Sequence, residues 1–298
     1  GNGKGAGITS PADGIPQGDN FDIDYVAHEV GHQLGGNHTF SMNIEAGGAN
    51  NVEVGSGITI MGYAGITNQD VAPHSIDIFH ERSIQQIQNN LATKTCPITI
   101  PLTTNATPVA NALTSYTIPI STPFVLTGSA TDANAGDVLT YCWEQNDNAN
   151  SSVTGNNSVA FPTKLVGPNW LTFPATTSPI RYFPRLSTVQ AGLFVTPPLP
   201  GGDAIANIEA VSSVSRTLSF RLTVRDNHPF VSTPGSESIG QTAFADMTVT
   251  VTNTAGPFSV TSPNTNVSWN GGSTQNITWN VNNTNTGAVN CANVKISL

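Results

Sequence analysis

A multidomain chain, mostly helical at its N-terminus and built of all-β sandwich modules after it, is the fold class that three features predict. Helical spacing of apolar residues occurs near residues 23–34 and 76–91 only. From Val109 onward, short alternating apolar stretches recur between clusters of Gly, Asn and Pro, as strands of a sandwich do. The chain has 298 residues, enough for two domains or more, and only 10% of them are charged. Low charge with many turn residues fits extracellular β-modules better than a cytosolic protein.

In chain order, Asn20 or Asp22 can cap a helix from about Ile23 to Leu34, which Gly35 and Gly36 end. Residues 39–58 are Gly- and Asn-rich without periodicity and read as a loop. A second helix is expected over Ile76 to Leu91, with Ile84, Ile87 and Leu91 inward and Gln85, Gln86 and Gln88 toward water. His74 and His80 flank its start and read as surface or core residues. Pro97 to Pro108 is a Pro- and Thr-rich linker. Strands follow at 124–126, 138–143, 218–224 and 247–251, the pattern of an immunoglobulin-like sandwich. The expected units are 1–97, a linker at 98–108, a sandwich at 109–254 with an insertion near 148–205, and the start of another sandwich at 255–298. Trp170, Phe173, Tyr182 and Phe183 are expected to pin the insertion down. Trp269 and Trp279 are expected to fill the core of the last unit.

Composition narrows the partners. Lys and Arg total 10 against 19 Asp and Glu, a net charge of −9, so nucleic acid is excluded as a partner. No apolar run is long enough to span a bilayer. The three cysteines, Cys96, Cys142 and Cys291, lie far apart. Cys142, next to Trp143 in an apolar strand, reads as a small buried hydrophobe, whereas Cys96 and Cys291 read as thiols whose partners lie outside this chain.

Chemistry concentrates in one window, His28-Glu29-Val30-Gly31-His32-Gln33-Leu34-Gly35-Gly36-Asn37-His38. Histidines four apart on a helix share one face, so His28 and His32 can bind one metal ion. Gly35 lets the backbone turn and bring His38 back as a third nitrogen ligand. Glu29 sits beside the pair and can hold a water without ligating the metal. Three protein ligands and one open position make a catalytic Zn²⁺ site.

The window resembles the motif of the metzincin zinc peptidases, and Gly31 and Leu34 bring it closest to the reprolysin-like branch. The turn that the clan places downstream is matched by Thr59-Ile60-Met61-Gly62-Tyr63. The resemblance implies that Met61 floors the metal-binding imidazoles and that the α+β class holds for this part of the chain. Thr39 stands where reprolysins have aspartate, and His-Thr-Phe also resembles the pappalysin branch. The Met-x-Tyr spacing is similar to astacins and serralysins, which implies oxyanion support by Tyr63; a packed turn tyrosine is the alternative. Metzincins place several strands and a helix ahead of the zinc helix, so the upper subdomain with its substrate-pairing strand is expected to be missing here. The isolated 298 residues are therefore expected to cleave poorly. The chain ends at Val294–Leu298 in what reads as a strand in mid-course.

Asp132-Ala133-Asn134-Ala135-Gly136-Asp137 resembles a turn of bacterial surface modules of the PKD, cadherin or immunoglobulin type. Such modules sometimes bind Ca²⁺ there, with Asp226 as a further oxygen donor; a plain Asp/Gly turn is the favoured reading. Two functions follow. One is a secreted or cell-surface, bacterial zinc endopeptidase acting on protein or peptide substrates, its sandwich modules binding a surface, a polysaccharide or a protein. The other is a noncatalytic adhesin that keeps zinc for stability.

Overall fold

The computed structural model describes residues 7–11, 14–45, 50–96, 99–294 and 296. Pro97, Ile98 and most of the strand expected at 294–298 lie outside them. The architecture is α+β, with strands in the majority.

The first helix starts earlier than its capping residues imply. Asn20–Ala27 is wound as a π-helix and runs directly into α1, His28–Gln33. Asp19 holds the N-cap position in helical backbone geometry and makes no side-chain cap, so Asn20 and Asp22 lie inside the helix. The second helix, α2, spans Glu81–Ala92 and starts later than its periodicity implies. Backbone pairing sets that boundary. Ile76 N–H donates to Ile58 O at 2.8 Å, and Ile78 O accepts from Ile60 N–H at 3.0 Å, which keeps residues 76–79 out of the helix. His80 then caps α2 through Nδ1, which accepts from Arg82 N–H at 3.1 Å. Among the described residues from 35 to 80 there is no helix, so the expectation of a mostly helical N-terminal part fails. Hydrogen bonds and buried side chains, not helices, shape that segment.

The largest sheet has four strands in the order Tyr116–Pro119, Thr242–Thr252, Arg216–Arg225, Thr140–Gln145. The first pair is parallel and the others are antiparallel. Leu218, Phe220, Leu222 and Val224 recur at period two on one face and join Trp143, Trp170 and Phe183 in the main core. The antiparallel ladder of Phe124–Thr127 with Ile180–Phe183 closes that core, with Phe124 and Phe183 stacked at 4.9 Å. On the opposite face of the sheet, Arg225 Nη2 donates to Phe79 O at 2.9 Å and Arg221 Nη1 to Gln85 Oε1 at 3.5 Å. The sheet therefore has α2 and the residues before it against its back.

A second core joins Val54, Ile58, Val71 and Ala72 to Val159, Ala160, Leu171, Ala206, Ile208 and Ala210. Backbone bonds follow the same seam: Ala149 N–H to Asn51 O at 2.8 Å, Gly155 N–H to Met42 O at 2.8 Å, and Asp203 N–H to Asp70 O at 2.7 Å. Residues expected to form a sandwich insertion thus pack beneath the loop at 50–72. Of the aromatics expected to pin it down, Trp170 and Phe183 are buried in the main core, while Tyr182 is exposed. Lys164 is buried nearby, its Nζ donating to the carbonyls of Ser158, Val159 and Pro168, and burial lowers its pKa well below the usual lysine value.

Ser259–Ser262 and Thr278–Asn280 form a two-stranded ladder. Trp269 and Trp279 are 39% and 38% exposed, so they do not fill a core as expected. Two strands without a second layer cannot enclose an indole. Cys142 is buried against Phe173 O, and Cys96 and Cys291 are exposed free thiols. No helix among the described residues is long and apolar enough to cross a membrane.

Candidate metal centre

The turn after α1 forms a Schellman closure. Gly35 N–H donates to His32 O at 2.9 Å and Gly36 N–H to Gly31 O at 2.8 Å. Gly35 has φ +102°, and a Cβ there would come within 2.4 Å of Asn90 Nδ2. That amide of α2 donates to Leu34 O at 2.6 Å, while Gln86 Oε1 accepts from Asn37 N–H at 2.8 Å. Helix α2 thus satisfies the backbone groups left open at the end of α1, and the chain returns with His38 facing His28 and His32.

His28, His32 and His38 come together as expected. His28 Nε2 and His32 Nε2 each lie close to His38 Nε2, at 3.1 and 3.0 Å. Each ring's other nitrogen faces an acceptor: His28 Nδ1 faces Ile60 O at 2.6 Å, His32 Nδ1 faces Gly36 O at 2.8 Å, and His38 Nδ1 faces Glu45 Oε2 at 2.7 Å. A carbonyl or carboxylate accepts, so each Nδ1 carries the proton and each Nε2 presents a lone pair. Three converging lone pairs cannot bond to one another. They suit a cation held between them, and two nitrogens bound tetrahedrally to zinc stand roughly 3.3 Å apart. Burial, against the opposing bond from Ile60, pushes the His28 imidazole down to about 4. Burial also lowers His38, opposed by Glu45. Both rings are thereby kept neutral, the form that ligates metal.

Met61 is fully buried beneath this group. A Cβ on Gly31 would come within 2.5 Å of Met61 Sδ, so a glycine in the middle of α1 is what lets the thioether lie under the helix. Tyr63 packs its ring 4.4 Å from His38, 5.5 Å from His28 and 4.9 Å from Phe40. Burial raises its phenol above the ordinary value, reinforced by Glu45 and Glu29, so it stays a neutral donor. Glu29 lines a cavity of about 200 Å³ together with His28, Tyr63, Asp24 and Ser75.

Residues 1–91 match the family model described as Metallo-peptidase family M12B, reprolysin-like. That segment is a reprolysin-like metallopeptidase domain. Comparisons with curated proteins and with solved structures found no match. Metallopeptidases of this family use zinc, and the three histidines of the reprolysin-like segment are a group able to hold it.

Two site residues carry no motif and escape sequence reading. Glu45, in the loop after His38, orients that ring. Glu45→Ala in the reprolysin-like segment is expected to weaken zinc binding roughly 10-fold, the lower end for loss of such a partner, measured by chelator competition. Glu53 lies buried between the His38 and Met61 segments. Its one sequence signal, shared with Glu45, is an acid in an otherwise Gly- and Asn-rich loop.

The aspartates also meet. Asp132, Asp137 and Asp226 each offer an oxygen within 4.8 Å of the others. Most of these oxygens already have protein partners. Asp132 Oδ1 accepts from Asn134 N–H, both oxygens of Asp137 face His228 Nδ1, and Asp226 accepts from His228 N–H, Gln241 N–H and Asn105 Nδ2. Turn hydrogen bonding accounts for the cluster, and calcium gains no support from it.

Proposed function

We propose that this chain carries the zinc-binding site of a secreted endopeptidase that hydrolyses peptide bonds in protein or peptide substrates. The supporting observation is the convergence of three Nε2 lone pairs whose Nδ1 protons are all committed elsewhere. When bound, zinc polarises the scissile carbonyl and acidifies water. Glu29, beside the ligands and outside their set, accepts the water proton and passes it to the leaving amine. Tyr63, kept neutral by burial, donates to the developing oxyanion. The β part is read as immunoglobulin-like sandwiches that hold the enzyme on a surface or substrate.

The test is metal removal in the full-length protein. Metal analysis should find one zinc per chain, a chelator should abolish cleavage of an unstructured protein, and added zinc should restore it. Cleavage that survives complete chelation sinks the reading, as does a wild-type protein that takes up no zinc.

A further inference from the structure

The geometry points to Glu53 as a positioning residue that locks the His38 segment and the Met61 turn together in the register the metal needs. This rests on the zinc reading above. Glu53 is 1% exposed, and an acid buried that completely has to find donors to offset its lost hydration. It finds four. Oε2 accepts from the hydroxyls of Thr39 and Thr59, each at 2.5 Å, and Oε1 accepts from the N–H groups of Ile58 and Thr59, each at 3.2 Å.

Those donors come from two segments, and each segment carries part of the centre. Thr39 follows His38 directly. Thr59 precedes Ile60, whose carbonyl accepts from His28 Nδ1 at 2.6 Å, and Met61 comes next. The backbone repeats the link: Glu53 N–H donates to Thr39 O at 2.9 Å, and Thr39 N–H to Met61 O at 3.0 Å. One carboxylate therefore governs where His38 emerges and how the acceptor for His28 is placed. Thr39, at the position where reprolysins carry an acid, lends its hydroxyl to an acid supplied fourteen residues later. A cross-link between the segment that carries His38 and the turn that orients His28 acts on metal geometry, which a residue serving packing alone does not.

Three measurements on the full-length protein test this: zinc affinity by chelator competition, the visible bands of the cobalt-substituted protein, and thermal unfolding without metal. Glu53→Ala should weaken zinc binding roughly 10–100-fold and move the cobalt bands. Glu53→Gln should recover most of the affinity, because its Oε1 can still accept from Ile58 and Thr59 while both hydroxyls rotate to accept from its amide. Should Glu53→Ala fail to fold, Thr39→Val serves instead; it removes one hydroxyl at constant volume and should weaken zinc roughly 10-fold. Zinc affinity and cobalt bands equal to wild type in the folded variant overturn the assignment, whatever happens to the melting temperature. A wild type that binds zinc but cleaves nothing removes the peptidase reading and leaves Glu53 in place. A wild type without zinc affinity overturns both.

Discussion

Glu29→Gln is expected to lower kcat roughly 10²–10⁴-fold, the usual contribution of a general acid–base group, while zinc content stays at the wild-type level. The two halves of that result have separate causes. Glu29 stands in α1 between His28 and His32, yet the group of residues whose atoms converge is His28, His32 and His38 alone. Loss of its charge therefore leaves the ligand set intact. Its carboxylate faces the same cavity as His28 and Tyr63, and its charge is felt at both His38 and Tyr63. That places it where an attacking water would lose its proton. Gln keeps the shape and cannot take the proton. Parallel cleavage and metal assays of wild type and variant decide it. Equal activity with equal zinc would leave a metal that serves stability only, which is the noncatalytic alternative.

The three converging histidines are legible because three different constraints fall within eleven residues: helical spacing, a glycine at the turn, and an acid beside the first histidine. What supports them was not legible, since it depends on contacts across long stretches of chain. Glu53 and Glu45 reach the centre from a loop with no periodicity. Gly31 has a reason only once Met61 lies under it. Periodicity places the start of α2 too early because Ile76 and Ile78 pair with Ile58 and Ile60, and a periodic pattern carries no trace of such tertiary bonds. Residues 109–254 read as a sandwich with an insertion near 148–205, but Val159, Ala160, Leu171, Ala206, Ile208 and Ala210 share a core with Val54, Ile58 and Val71 of the N-terminal segment. The strands themselves were legible within a few residues, because Leu218 to Val224 alternates cleanly toward the main core.

The joint between α2 and the sheet gives the second large effect, a loss of stability with rising pH that Glu81→Gln should remove. Glu81 opens α2, is 2% exposed, and its Oε2 has no hydrogen-bond partner. Its N–H donates to the carboxylate of Glu144, which is fully buried and also accepts from the Thr223 hydroxyl. Burial, then the charge of Glu144, pushes the Glu81 carboxyl up from 4.5 to about 7; Arg221 and Arg225 oppose this and Asp246 adds to it. The folded chain therefore binds more protons than the unfolded chain between about pH 4.5 and 7. Stability attributable to Glu81 is full below that window, falls through it, and is lost above it. A shift of this size corresponds to roughly 3 kcal/mol. His28, whose pKa is lowered, acts in the opposite direction over part of the same range, so the quantity to measure is the difference between wild type and variant. In denaturant titrations of the metal-free protein at pH 4.5, 6 and 8, Glu81→Gln should gain on wild type as pH rises, by roughly 3 kcal/mol at the top. A difference that stays constant with pH would mean that Glu81 is ionised throughout, with Arg221 and Arg225 outweighing its burial.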